Sequence, residues 1–218
     1  MLNEVFAKHK NAYVGQACIF LGCGPTIDEF YDEYDLIKFG CNEIIYKPYK
    51  VDFYFLGDPG DRARGYNSDP KRYDEYGPNI EKFYRKKQNN FLGMEPLKVA
   101  SYYNVTDSLR MSNKKMRMDL ENGIYARASI SIEIMQFILH AGFKKIFLIG
   151  HDCDYSKGSF HNKKNIQGNK EMIQEWIRIK QFNDANYKAE IYCINPKALK
   201  IFEEKTLKDL DQWKKQAL

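Results

Sequence analysis

The stretch Ala17-Cys-Ile-Phe-Leu-Gly-Cys-Gly-Pro-Thr-Ile-Asp-Glu-Phe30 restricts what this chain can fold into more than any other. Ala17 to Leu21 is a short unbroken apolar run, the pattern of a parallel strand covered on both faces. It stops at Gly22-Cys23-Gly24, where the chain must reverse. Pro25 then presets φ for a first helical residue, where a missing amide hydrogen leaves nothing unpaired. Strand, glycine turn and helix start open a βα unit, so an α/β domain is expected. Such a turn exposes bare backbone, and free amides at a helix start attract phosphate. Gly22, Cys23, Gly24 and Pro25 are therefore candidate ligand-binding residues. Ile27 stands where the dinucleotide fingerprint has its last glycine, and no Gly-x-x-x-x-Gly-Lys-Ser/Thr occurs. Neither an ordinary NAD site nor a Walker-type ATPase is indicated.

The chain's 218 residues suit one domain spanning 1–218, large enough to bury a substantial core without staples. Cys18, Cys23, Cys41, Cys153 and Cys193 are odd in number and contain no Cys-x-x-Cys pair, so they read as reduced interior thiols of a cytoplasmic protein. The spacing of the first three fits no zinc pattern. The opening residues lack the apolar core of a signal peptide, and no apolar run approaches the roughly 20 residues of a membrane span. A net charge of +5, with acids interleaved among the basic residues, does not imply nucleic-acid binding. It suits an anionic small substrate, or weak association with an acidic membrane surface.

Leu36 to Asn42 reads as a second strand and Val51 to Asp58 as a third, each ending in glycine or polar residues. In open α/β sheets ligands bind where the carboxyl ends of the strands converge, which makes Asn42 and Asp58 candidate contacts; singly, each also suits an Asx turn or helix cap. Residues 60–96 are rich in Tyr, Arg, Lys, Asp, Pro and Gly and show no long apolar period, so an irregular insertion or lid is expected there. A fourth strand is expected at Leu97 to Tyr103, and a second polar segment of the lid over about 104–122. Ile130, Ile134, Phe137, Ile138 and Ala141 then recur at helical spacing, with Ser129 or Ser131 as the cap and Gly142 as the stop. Lys144 to Gly150 is the strongest strand and runs into Gly150-His-Asp-Cys-Asp154. A helix through Trp176, a last strand at Glu190 to Asn195 and a charged, peripheral helix from Lys197 to Leu218 complete the reading.

With these pieces placed, Gly-Cys-Gly-Pro-Thr-Ile, Gly-Cys-Asn, Asp-Phe-Tyr-Phe-Leu-Gly-Asp-Pro, Arg-Ala-Ser-Ile-Ser and Ala-Gly-Phe-Lys-Lys-Ile-Phe-Leu-Ile-Gly-His-Asp together resemble the MptE-like family of surface-polysaccharide proteins. That family includes the archaeal 6-hydroxymethyl-dihydropterin diphosphokinases, and its pattern is similar to that of bacterial CMP-sialic-acid sialyltransferases. The likeness runs from about residue 12 to 200. It implies a single doubly wound, mostly parallel, Rossmann-like sheet with a polar lid. It also implies a donor site on Gly22, Gly24, Pro25, Asn42, Arg127 and Ser129, with Ser131 where the transferases have glycine, and Gly150 and Asp152 for their later Gly-x-Asp. Cys23 stands where those enzymes have asparagine. For the general base His161 is the best substitute, because it lies in the loop after Asp152 and an imidazole titrates near neutrality. His151, at a strand end, could orient a ligand.

The function expected from these residues is transfer of a sugar from a nucleotide-activated donor, CMP-sialic acid or a related acidic sugar, to a surface-glycan acceptor in polysaccharide or lipopolysaccharide assembly. Arg127 would pair the donor's anionic group, since a guanidinium fork matches carboxylate or phosphate. One alternative is a diphosphokinase moving pyrophosphate from ATP with Mg²⁺ on Asp58, Asp152 or Asp154; the other is a nucleotide-binding scaffold without catalysis. Asp152-Cys-Asp154 spells the Asp-x-Asp with which many metal-dependent glycosyltransferases hold a divalent cation, so a metal site stays open at that point. The donor sugar, the acceptor and the oligomeric state are not legible.

Overall fold

The computed structural model describes residues 4–57, 76–77, 79–86, 100–106, 116–154 and 169–214. They build one nine-stranded sheet: β1 (Ala17–Leu21), β2 (Ile37–Cys41), β3 (Phe53–Leu56), β4 (Glu81–Lys86), β5 (Ala100–Thr106), β6 (Ile124–Tyr125), β7 (Lys145–Ile149), β8 (Glu190–Ile194) and β9 (Glu203–Lys205). The strand order is β6-β5-β4-β3-β2-β1-β7-β8-β9, and every neighbouring pair is parallel. From β1 the chain steps outward to β6, then returns to lay β7 on the other side of β1. The winding therefore reverses between β1 and β7, where a doubly wound sheet opens its crevice.

The apolar runs are continuous because each strand feeds two cores. Cys18 and Phe20 of β1 enter one cluster while Ile19 and Leu21 enter the other, and β3 and β7 divide in the same way. On the first face lies α1 (Ile130–His140), and Trp176 and Ile179 of α2 (Asn169–Asn186) join the same cluster. Phe137 of α1 stacks among Phe6, Phe53, Phe55 and Phe83 with ring centroids 5.2–5.8 Å apart. On the second face short 3₁₀ turns at Pro25–Glu29, Asn42–Tyr46 and Leu207–Trp213 supply Ile27, Ile44, Ile45 and Leu210. Every residue of α1 is buried, and Glu133 and Gln136 among its polar ones are partnered. Glu133 accepts from Arg85 Nε at 3.0 Å and Nη2, and from the Tyr103 hydroxyl at 2.8 Å. Gln136 bridges the Tyr125 amide and carbonyl at 3.1 and 2.7 Å.

Three expectations differ from the fold. The helix expected after the first glycine turn is a five-residue 3₁₀ turn. The helix expected over Lys197 to Leu218 is replaced by β9, paired parallel to β8, and by the 3₁₀ turn Leu207–Trp213, which Thr206 and Asp209 cap reciprocally. Alternating charge there suggested a solvated helix face, yet pairing with β8 outweighs weak helix propensity once the edge is available. Glu81–Lys86, inside the span expected to be irregular, is β4, with only Phe83 and Tyr84 to mark it, one for each core. Among the described residues no helix is long and apolar enough to cross a membrane.

Candidate functional site

The parallel register sets Leu21 beside Ile149 and Leu21 beside Gly40, so the loops leaving β1, β2 and β7 rise together at the carboxyl edge. Between them, the start of α1 and the first turns of α2 lies a pocket of about 110 Å³. Small-molecule sites commonly run about 300–1,000 Å³, so the described walls enclose only part of a nucleotide-sized ligand.

The glycines of the first turn do a different job from the one expected. Gly22 donates to the Ile149 carbonyl and Gly24 to the Gly150 carbonyl, both at 2.7 Å, so the turn is laced to the end of β7. A Cβ on Gly22 would stand 2.5 Å from the Gly150 oxygen, and one on Gly150 would stand 2.7 Å from the Gly22 oxygen. The two loops interlock backbone against backbone, and much of the amide surface expected to be bare is already used. Pro25 opens the 3₁₀ turn as expected of a first-turn proline, but the next amide is not free. Thr26 N and Oγ1 donate to the two oxygens of Asp152 at 2.9 and 2.6 Å. The Cys23 amide has no acceptor among the described residues, and Cys23 lines the pocket with its thiol donating to the Cys41 carbonyl at 3.5 Å.

Asp152 is thus a clamp. It is 2% exposed, and burial raises its carboxyl pKa against the lowering effect of the two Thr26 bonds. Thr26 engages both of its oxygens, so its described partners are the backbone and hydroxyl of the first turn. Among the described residues no group of three or more His, Cys, Asp or Glu side chains gathers as a metal site. Asp154 lines the pocket; Asp58 and His161 lie outside the described residues.

Asn42 stands on the pocket wall with φ +44°. Its Oδ1 accepts from the Gly57 amide at 3.1 Å and its carbonyl from the Tyr54 hydroxyl at 2.6 Å, which ties the ends of β2 and β3 together. Because an amide N–H must meet the oxygen, this bond fixes the flip of the side chain, and Nδ2 is left without an acceptor among the described residues. Left-handed backbone recurs around the same rim, at Ala128 (φ +59°), Gly150 (φ +71°) and Cys153 (φ +50°). For residues with a Cβ such strain costs about 1–3 kcal/mol and tends to gather at functional sites.

Ser129 caps α1, its Oγ accepting from the Ser131 amide at 3.1 Å, and both serines line the pocket. The Ile132 amide bonds the Ser129 carbonyl at 3.1 Å, which leaves the Ile130 amide and the positive end of an 11-residue helix at the same pocket wall. Arg127, expected to join them, does not line the pocket. Its Nε lies 3.1 Å from Glu171 and 3.6 Å from Glu175 of α2, and these acids raise its pKa. Two carboxylates of α2 hold the guanidinium, and only the tertiary fold reveals them.

No local pattern marks α2 as a wall of the site, yet Met172 and the buried Trp176 line the pocket beside Cys153. His151 also lines it, directly after Gly150. Burial drives its pKa from the ordinary 6.5 to about 3, so the imidazole is neutral. The sequence signal for it was a histidine immediately following a strand-terminal glycine.

No family model matches the sequence, and no curated protein matches it. The fold is similar to that of the sialyltransferase CstII from Campylobacter jejuni in complex with a substrate analogue, cytidine-5'-monophosphate, with TM-score 0.54 and 17% identity over 94% of this chain and 89% of that one. A structure of the sialyltransferase CST-II in complex with trisaccharide acceptor and CMP gives TM-score 0.54 and 15% identity over 87% and 86%. The MAf glycosyltransferase from Magnetospirillum magneticum AMB-1 gives TM-score 0.55 and 13% identity over 94% of this chain, which spans 38% of that longer protein. At these identities the likeness is one of fold.

Proposed function

We propose that this chain is a glycosyltransferase that takes a nucleotide-activated sugar, a CMP-linked acidic sugar such as CMP-sialic acid first among candidates, and transfers the sugar to a surface-glycan acceptor in the cytoplasm. The observation that carries the reading is the set of donors without a partner among the described residues that converge on one crevice at the reversal of the sheet: the Cys23 amide, Asn42 Nδ2 and, at the start of α1, the Ile130 amide and the Ser131 hydroxyl. Hydrogen-bond donors around a helix start hold a phosphate well. The fold shared with sialyltransferases solved with CMP supports the nucleotide, as does the MptE-like and sialyltransferase-like pattern of the residues around the pocket.

In this reading the phosphate lies against the Cys23 to Gly24 backbone and the start of α1, oriented by the Asn42 amide. Gly150 and Asp152 shape the floor, Asp152 by holding Thr26 and the turn in place. An acceptor hydroxyl attacks the anomeric carbon, the bond to the phosphate oxygen breaks, and CMP leaves. His161 takes the acceptor's proton. The chain acts as one domain over 1–218. The diphosphokinase alternative places Mg²⁺ on Asp58, Asp152 or Asp154, and of these Asp152 already holds Thr26.

Calorimetric titration of CMP, CMP-sialic acid, AMP and ATP, each with and without chelator, tests the proposal. Selective binding of the cytidine ligands, insensitive to chelator and weakened about fivefold to tenfold in Asn42→Ala, is expected. Binding of ATP alone, lost with chelator, would overturn it. Release of CMP from CMP-sialic acid in the presence of a glycan acceptor, lost in His161→Ala, tests the chemical step.

A further inference from the structure

Cys23 and Cys41 both line the pocket, and they leave neighbouring strands just past the paired rung of Leu21 and Gly40. Strands of a sheet run about 4.7–4.9 Å apart, inside the Cα separation of about 4.4–6.8 Å that a disulfide accepts. Cys23 Sγ lies 3.5 Å from the Cys41 carbonyl oxygen, and both side chains pack on the apolar cluster of the first sheet face.

The two thiols are unequal. Of the five cysteines four are buried and Cys23 is half-buried, so a reagent entering the pocket meets Cys23 first. Cys41 is 3% exposed, and the neighbouring Cys23 thiol together with burial raises its pKa well above the ordinary value. It therefore waits as a neutral thiol behind an accessible one. Thiol–disulfide exchange uses such an arrangement: the accessible thiolate attacks, and its neighbour then displaces the reagent.

We propose that Cys23 and Cys41 are a modification site for low-molecular-weight disulfides such as oxidised glutathione, closing to an intramolecular disulfide that shuts the nucleotide crevice; the closure rests on the nucleotide reading above. The Cys23 thiolate attacks one sulfur of the reagent, whose first thiol leaves. Cys41 then attacks Cys23 Sγ and the second thiol leaves, so the two cysteine protons end on the two released thiols. The cysteines are oxidised by two electrons and the reagent is reduced by two. Bridging draws the first turn onto the end of β2 and narrows a space of only about 110 Å³, displacing the Cys23 amide and the adjoining Asn42 together.

The test treats the full reduced chain with oxidised glutathione, without nucleotide, and maps non-reduced peptides by mass spectrometry. The parent should lose two hydrogens and yield one cross-linked pair, the peptides carrying Cys23 and Cys41, with no glutathione retained. Cys41→Ser should stop with glutathione on Cys23, whereas Cys153→Ser, which removes the third thiol of the pocket, should still close the bridge. By calorimetric titration the oxidised parent should bind CMP at least about tenfold more weakly, and a dithiol reductant should restore the affinity. A parent that stays unmodified, keeps glutathione on Cys23 or bridges Cys23 to Cys153 overturns the assignment of the pair. A bridged parent that binds CMP within about twofold of the reduced one overturns the closure and leaves the nucleotide reading standing. A reduced parent that binds neither CMP nor CMP-sialic acid overturns the nucleotide reading, and the closure with it, whatever the peptide map shows.

Discussion

Thr26 and Asp152, 126 residues apart in the chain, are joined twice, Thr26 N to Oδ2 at 2.9 Å and Thr26 Oγ1 to Oδ1 at 2.6 Å. The pair ties the turn after β1 to the segment after β7, so the crevice floor exists only when both loops are in place. Asp152→Ala leaves two buried donors unpaired and should destabilise by about 1.5–3 kcal/mol. For a chain of this length that is roughly 3–12 °C in Tm. Differential scanning calorimetry of Asp152→Ala and Thr26→Val should show losses that are less than additive in the double variant, because one contact is being removed twice.

The interlocked glycines should tolerate no side chain. Gly22→Ala drives a methyl into the Gly150 carbonyl, a backbone atom that cannot swing aside, and Gly150→Ala adds a left-handed φ of +71° to the same collision. Overpacking of this kind costs about 1–3 kcal/mol, with about 1 kcal/mol more for the backbone at position 150. Urea denaturation should find both variants destabilised and Gly150→Ala the worse. Equal stability to the parent would mean that the loops are not packed as described.

Arg127→Ala should disturb the nucleotide little. The guanidinium is partly exposed and rests on Glu171 and Glu175, so its removal breaks surface-type ion pairs worth about 0.2–1 kcal/mol. CMP affinity within about twofold of the parent is expected by titration. A loss of tenfold or more would place the arginine at the donor after all.

His151 also predicts a pH dependence. Its folded pKa of about 3 lies below the ordinary 6.5, so between those values the unfolded chain binds a proton that the folded one refuses. Stability from this group is therefore complete above about pH 6.5 and falls as the solution is acidified, by up to about 1.4 kcal/mol per pH unit. The stability difference between the parent and the non-titrating His151→Gln should shift in favour of the variant as pH drops from 7 to 4. A difference that stays constant with pH would show that the imidazole is not held neutral in the fold.

Much of this protein was legible in its sequence because the information was local. β1, β2, β3, β7 and β8 are apolar runs that end in glycine or polar residues, and α1 repeats its apolar residues at helical spacing behind a serine cap. From these alone followed an α/β sheet with a crevice at the carboxyl ends of its strands, where Cys23, Gly24 and Asn42 line the pocket together with Ser129 and Gly150, which the family resemblance adds. β4 and β9 were not legible: each is short and largely polar, and it becomes a strand only because a neighbouring edge offers it a hydrogen-bonding ladder. The partners of single side chains were equally hidden. Nothing near position 127 announces that Glu171 and Glu175 will be beside it, and nothing near Asp152 announces Thr26. Local pattern decides which segments become strands and helices, whereas the order in which parallel strands pair decides which loops touch, and that order set the use of each candidate residue.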